Sequence, residues 1–271
     1  MESLPFVTRE EIARSLREVG LGEGDLCLFH SSLKSFGIVD GGAQTVIDAF
    51  EEVLTSKGTL AVPTLCNVDF FNSYKTWYMD KPSGVGYLTE YFRKLPFVYR
   101  SDHPTHSVAA RGPLAYELTY EHAWRGPHLC PFGNYAFADS SPWNKLYERN
   151  GKIVFLGVTM MYNTMKHWIE GCFVEGLLER VKDEVKRLEL KSRLRTFESR
   201  DQGLWPFYNS ERMQERLEEM GLVRTAQCGN ARILCVDARD SSDAALKLLQ
   251  TEPENWTKGA MLEWIRACQE A

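Results

Sequence analysis

Nowhere in the 271 residues does an apolar run approach the ~18 positions that a membrane-spanning helix needs, so no membrane partner is expected. Basic residues are not in surplus either: 32 Lys and Arg stand against 37 Asp and Glu, a formal net charge of −5. Nucleic-acid binders present a basic patch or stripe, so that class is not expected, and the summed field leans toward cationic partners. No two of the seven cysteines (27, 66, 130, 172, 228, 235 and 268) are spaced as Cys-x-x-Cys, and their number is odd. Several lie inside apolar runs, as Cys27 does in Leu26-Cys27-Leu28-Phe29, which reads as buried free thiols in a reducing compartment. Met1-Glu2-Ser3-Leu4-Pro5 carries no apolar signal core, so a cytoplasmic location is expected. Internal repeats and low-complexity linkers are missing as well. A chain of this size buries a core without a metal or disulfide staple, and residues 1–271 read as one domain.

What is present is an alternation of helical and strand patterns. Thr8-Arg9-Glu10-Glu11 has the form of a capping box and opens a helix that should end near Gly20. Leu26-Cys27-Leu28-Phe29-His30 reads as a buried strand. Val46, Ile47, Phe50, Val53 and Leu54 recur at helical spacing between about Gly42 and Lys57, and Thr59 to Pro63 forms a second strand. Strand, helix and strand so arranged make a βαβ unit with parallel strands. Residues 63–145 hold eight of the eleven prolines and many aromatics, which predicts ordered loops around a cleft with a helix near Leu88–Leu95. Lys152 to Gly157 is a strong strand, followed by a helix from Thr164 to about Leu178. The charged residues 179–200 read as solvated surface structure. Helices over 211–220, 240–249 and 258–268 and a strand over 231–237 complete an α/β fold, with a layered parallel or mixed central sheet flanked by helices.

Four places carry polar chemistry near strand ends. His30-Ser31-Ser32-Leu33-Lys34-Ser35-Phe36-Gly37 follows the first strand, where α/β sheets bind ligands, and it offers hydroxyls and backbone amides; the plain alternative is a hydroxyl-capped turn. Arg100-Ser101-Asp102-His103-Pro104-Thr105-His106-Ser107-Val108 contains two histidines three apart. Pro104 disfavours a helix and no third ligand is near, so no metal site is expected there. One of these histidines is a candidate to orient a substrate or relay a proton, against the alternative of a loop histidine bonded to backbone. His167 and Glu170 are i and i+3 on a helix, so that the carboxylate can hold the imidazole's tautomer; taken alone, such a pair reads first as a surface contact. Asp69 follows the second strand and could bind an ammonium group, though a lone acid there reads first as a turn or helix-cap residue.

Taken in order, these segments resemble the aminoglycoside 3-N-acetyltransferase (antibiotic N-acetyltransferase) family. The resemblance runs through His30-Ser31-Ser32-Leu33 with Gly37 and Gly41-Gly42, Lys57-Gly58-Thr59-Leu60, and Pro63-Thr64. It continues through Arg100-Ser101-Asp102-His103-Pro104 with Ser107, Pro131-Phe132-Gly133, and Ser141-Pro142-Trp143. It ends with Leu156-Gly157-Val158, Asn163-Thr164 and His167-Trp168-Ile169-Glu170, covering residues 5 to about 175.

The resemblance implies a fold distinct from the common acetyltransferase superfamily, with acetyl-CoA as cosubstrate and a cationic amine as acceptor. By the same resemblance Ser31, Ser32, Leu33, Phe36 and Gly37 hold the coenzyme's pantetheine and phosphates, while Ser107 and Val108 border the thioester. His167 and Glu170 match the family's His-x-x-Glu as catalytic groups, with His106 as a further catalytic candidate. Asp69 and Glu170 face the acceptor. An alkylammonium must lose a proton before it attacks a thioester, which is work for an imidazole, and an oxyanion donor is expected from backbone amides or the Ser107 hydroxyl. Two departures from the family pattern, at 134–139 and 179–200, bear on the acceptor. It is either an aminoglycoside amine or that of another amino sugar or metabolite, with a non-catalytic coenzyme-binding homologue as the alternative class. Monomer and homodimer both fit the sequence.

Overall fold

A computed structural model of the protein describes residues 4–66, 70–126 and 129–271. Among the described residues nine strands form: β1 (Phe6–Val7), β2 (Leu26–Ser31), β3 (Ile38–Val39), β4 (Thr59–Pro63), β5 (Tyr99–Arg100), β6 (Val108–Arg111), β7 (Lys152–Leu156), β8 (Arg224–Cys228) and β9 (Ala231–Asp237). The helices on the amino-terminal side of β7 are α1 (Arg9–Glu18), α2 (Ala43–Leu54), α3 (Phe70–Lys75), α4 (Tyr87–Arg93), α5 (Ala115–Thr119) and α6 (Pro142–Glu148). Those after it are α7 (Met165–Arg180), α8 (Glu184–Ser192), α9 (Ser210–Glu219), α10 (Ala238–Thr251), α11 (Pro253–Trp256) and α12 (Gly259–Gln269).

Seven strands make one sheet in the order β5-β6-β4-β2-β7-β9-β8, and β1 pairs with β3 apart from it. The central strands β4, β2 and β7 run parallel, as the βαβ pattern requires, and the flanking pairs are antiparallel. The sheet is therefore mixed. Side chains alternate across it with period two. Leu26 and Leu28 of β2, with Ile153 and Phe155 of β7, face a core that includes Trp143 of α6, Phe173 of α7, Leu249 of α10 and Trp264 of α12. Cys27, Phe29, Val154 and Leu156 face the opposite core, with Leu16 of α1, Phe50 of α2 and Phe92 of α4. Two apolar faces demand two helical layers, which is why these strands read as continuous apolar runs.

The capping box is formed: Thr8 Oγ1 accepts from the Glu11 amide and Glu11 Oε2 accepts from the Thr8 amide. The helix expected near 88–95 is α4. Three expectations change. The proline-rich middle contains β5, β6, α3, α5 and α6 rather than one helix among loops; α6 is capped by Ser141 with Pro142 in its first turn. β8, with an alternately exposed Arg-Thr-Ala-Gln-Cys sequence, is an edge strand with no apolar run to announce it. Residues 179–200 are not all solvated: Val181, Leu190 and Leu194 are buried in the core under α8.

The carboxyl ends of β2, β4 and β7 share one edge of the sheet. β6 is antiparallel to β4, so its amino-terminal end and the residues leading into it reach the same edge. Residues 30–37, 64–66, 101–108 and 157–170 all leave or approach the sheet there.

Candidate active site

The helix α7 starts nine residues after the end of β7, on that edge, and puts His167 in its first turn. Here the spacing of three does what it should: His167 Nδ1 lies 2.9 Å from Glu170 Oε2. With Nδ1–H donated to the carboxylate, Nε2 carries the lone pair and the ring is in the tautomer a base requires. Glu170 is fully buried, whereas the His167 side chain retains 24% exposure, so the acid supports and the imidazole faces outward. The same carboxylate oxygen accepts from Trp205 Nε1 at 2.9 Å, and Lys166 Nζ stands 3.8 Å from the other oxygen. Aromatic rings wall the imidazole: Phe132 at 4.4 Å and Phe137 at 6.0 Å between centroids, and His106 edge-on at 6.2 Å.

His106 is thus beside His167, deeply buried, with Nδ1 2.8 Å from Thr105 Oγ1. Burial holds its imidazole well below the usual histidine range, and the neighbouring His167, His103 and His122 push it the same way. Two of the other buried histidines, His103 and His122, are structural. His103 accepts the Thr105 and His106 amides on Nδ1 and donates Nε2–H to the Asn134 carbonyl. His122 donates Nε2–H to the Ala136 carbonyl and takes the Ser101 hydroxyl on Nδ1 at 2.7 Å, and the two rings stack at 4.6 Å. They pin residues 101–107 to residues 132–137, and burial keeps both neutral, His103 down to about 4. Because both His103 nitrogens are engaged, that ring has no lone pair for a metal. Among the described residues no three His, Cys, Asp or Glu side chains converge as a metal site would require.

Gly133, in the Pro131-Phe132-Gly133 segment, belongs to this clamp. A Cβ there would lie 2.4 Å from Thr105 Oγ1 and 3.1 Å from His103 Cε1, so only glycine lets the two loops approach.

The residues after β2 divide into two kinds. Ser31, Ser32 and Leu33 are half-buried and Lys34 is exposed, and the Ser32 hydroxyl does not cap the short 3₁₀ turn that it precedes. These present polar surface at the sheet edge. Phe36 is fully buried in the core and its carbonyl accepts from the Asn230 amide, so its ring anchors the loop from beneath and offers no ligand surface. Gly37, at φ +104°, turns the chain where a Cβ would strike the Pro5 carbonyl at 2.5 Å.

Ser107 and Val108 are likewise inside. The Ser107 hydroxyl donates to the Thr64 carbonyl at 2.9 Å, and Arg100 Nε approaches its oxygen at 3.2 Å. The same oxygen lies 3.0 Å from Thr64 Oγ1, so the Ser107 hydroxyl is held within a buried polar cluster. Val108 pairs with Pro63 in the sheet. His30 is buried against Phe155, with centroids 5.3 Å apart, and burial alone lowers it to about 3. Asp69 lies outside the described residues.

Trp205 was not singled out by the sequence: one tryptophan beyond a charged stretch carries no spacing signal. Phe137 lies in the 134–139 departure from the family pattern, but nothing in its spacing points to the imidazole it walls.

A model of the family described as aminoglycoside 3-N-acetyltransferase matches residues 28–250. The chain is 33% identical over 182 residues to aminoglycoside N(3)-acetyltransferase VII of Streptomyces paromomycinus, a match covering 60% of each protein. It thus spans under two thirds of that relative's length. Among solved structures, the apoenzyme of aminoglycoside acetyltransferase AAC(3)-IVa superposes with a TM-score of 0.71 at 22% identity, covering 99% of both chains. AAC-IIIb, solved as a binary complex with CoASH, gives a TM-score of 0.67 at 17% identity over 94% of this chain and all of that one. With the matched segment running from β2 through most of α10, and the whole layered architecture shared with these structures, the chain belongs to the aminoglycoside 3-N-acetyltransferase family.

Proposed function

We propose that the protein transfers the acetyl group of acetyl-CoA directly to an amine of an aminoglycoside, with His167 as general base and Glu170 as its support. The observation that carries this reading is the His167–Glu170 pair: a fully buried carboxylate bonded to a partly exposed imidazole at the ligand-binding edge of the sheet. Membership of the family, and the coenzyme bound in the AAC-IIIb complex, support the cosubstrate.

Ser31, Ser32, Leu33 and Lys34 suit the coenzyme's pantetheine and phosphates, since they combine uncapped hydroxyl, backbone and cation at the mouth of the edge. The coenzyme supplies an electrophilic thioester carbonyl. Nε2 of His167 takes a proton from the acceptor ammonium, and Glu170 stabilises the imidazolium so formed. Phe132 and Phe137 keep bulk water from the ring. Direct transfer, without an acyl-cysteine, is favoured by the thiols themselves. All seven cysteines are free, and burial raises every one above the usual thiol range, Cys130 up to about 12. None is a ready thiolate.

Two cations favour a second reading for the acceptor. Lys166 stands beside Glu170, and the Arg195 guanidinium lies over Phe132 and Phe207 at 6.0 and 5.7 Å. Paired with Glu170 and Asp201, they leave no excess of negative charge among the described residues beside His167 to draw a polycation, which suits an amino sugar or metabolite amine with fewer charges. Thiol release from acetyl-CoA, measured across aminoglycosides and simpler amino sugars, tests both. Turnover with aminoglycosides supports the first reading and turnover only with simpler amines the second. Tight coenzyme binding with no transfer to any amine overturns both. One continuous sheet serving both cores supports a single domain. No described helix is long and apolar enough to cross a membrane, and the free thiols favour a cytoplasmic site.

A further inference from the structure

The carboxylate that supports His167 has a second donor from a distant part of the chain. We infer that Trp205 is a positioning residue for the base, holding Glu170 so that one of its oxygens stays aimed at the His167 Nδ1–H. This deepens the proposed function and rests on it for its kinetic arm.

The geometry is specific. Trp205 Nε1 and His167 Nδ1 both sit 2.9 Å from the same atom, Glu170 Oε2. Glu170 is fully buried and Trp205 is 5% exposed, so the indole–carboxylate bond is shielded from bulk water. Among the described residues the other oxygen, Oε1, has no hydrogen-bond partner, only the Lys166 ammonium at 3.8 Å. Without the indole the carboxylate is free to turn about its terminal torsion and offer either oxygen. An indole N–H donates and never accepts, so Trp205 can bind only the acceptor face of the carboxylate, whatever the state of the imidazole.

Trp205 reaches this place because the charged stretch folds back. α8 leads to Leu194, which bridges to Leu204, and the intervening residues are held by paired turns in which Thr196 and Ser199 exchange amide-to-hydroxyl bonds. The bridge sets Leu204 beside Leu194, and the next residue enters the core. One function of the 182–204 excursion is therefore to deliver an N–H donor to a carboxylate on a helix that the chain left 25 residues earlier. Among the described residues, the charged or titratable groups around the His167–Glu170 pair are Lys166 on the same helix, His106 from the 101–107 segment, Cys130 and Tyr208 near Glu170, and Arg195, which approaches through Phe132 and is paired with Asp201.

W205F keeps an aromatic ring and removes the donor. The expected result is a kcat about tenfold lower with the KM for acetyl-CoA unchanged, together with a shift in pH dependence. Indole and imidazole compete for one oxygen, so removing the indole leaves a stronger acceptor for the imidazolium. The acid limb of kcat/KM then moves to higher pH. A wild-type kcat, or a fall in kcat with the limb unmoved or moved to lower pH, overturns the inference, because a ring that only fills space has no such sign. A second measurement needs neither turnover nor the folding of W205F. In 15N-labelled protein, E170Q should move one of the seven tryptophan indole N–H resonances upfield; a spectrum in which none moves refutes the contact. If no amine is acetylated at all, the functional reading fails while the spectrum still decides the contact.

Discussion

At the scale of single residues, the division of labour between His167 and Glu170 follows from their exposure. The imidazole can reach a ligand and the carboxylate cannot, so the acid acts only through the ring. H167A should lower kcat by ~10²–10⁴, the usual range for general-base work, and E170A by less, since an unsupported imidazole still accepts a proton. Steady-state rates at saturating acetyl-CoA check both; an unimpaired H167A moves the base elsewhere, with His106 the nearest imidazole. The hydroxyls after β2 act differently. Replacing Ser31 or Ser32 by tryptophan should raise the KM for acetyl-CoA several-fold and leave kcat little changed. Phe36 and Ser107 show the opposite case: residues that matched a motif but are buried, Phe36 in the core and Ser107 against Thr64.

Among elements, the loops matter more than the helices. Residues 101–107 and 132–137 have no regular structure to hold them, and two neutral histidines, bonded to the carbonyls of Asn134 and Ala136, do so instead. Gly133 sits where these loops are closest. G133A adds a methyl into a filled space, which costs about 1–3 kcal/mol in comparable overpacked sites. It should displace Thr105, and through it His106. A lower urea midpoint together with reduced kcat is the expected outcome; unchanged stability would show that the loops have room. The paired turns of 194–204 are a second such device, and they give the charged stretch after α7 a definite path.

For the molecule as a whole, buried histidines tie stability to pH. The unfolded chain protonates its histidines near pH 6.5. The folded chain keeps His103 neutral down to about 4 and His30 down to about 3, in each case chiefly through burial. Between those limits the unfolded state binds more protons, so stability is complete above about pH 6.5 and falls as the pH drops. The loss from His103 ends near 4 and that from His30 near 3. Each ring adds a slope of up to about 1.4 kcal/mol per pH unit. Urea unfolding at about pH 7.5 and about pH 5 should give a markedly lower midpoint in acid, and H103Q should make that difference smaller.

How much of this was legible beforehand follows from the range of the signals. The βαβ core, the capping box at Thr8, the strand 152–156 and the helix bearing His167 and Glu170 are written in local periodicity and spacing, so the sequence by itself determined them. The pairing of His167 with Glu170 needed only the pitch of one helix. β8 and β6 had no such signature, because an edge strand or a four-residue strand is stabilised by its neighbour rather than by its own pattern. The roles of His103, His122 and Trp205 depend on partners 31, 14 and 35 residues away. Such contacts leave no period in the chain. Only the tertiary structure decided them, because burial and hydrogen-bond geometry arise when distant segments are brought to the same edge of the sheet.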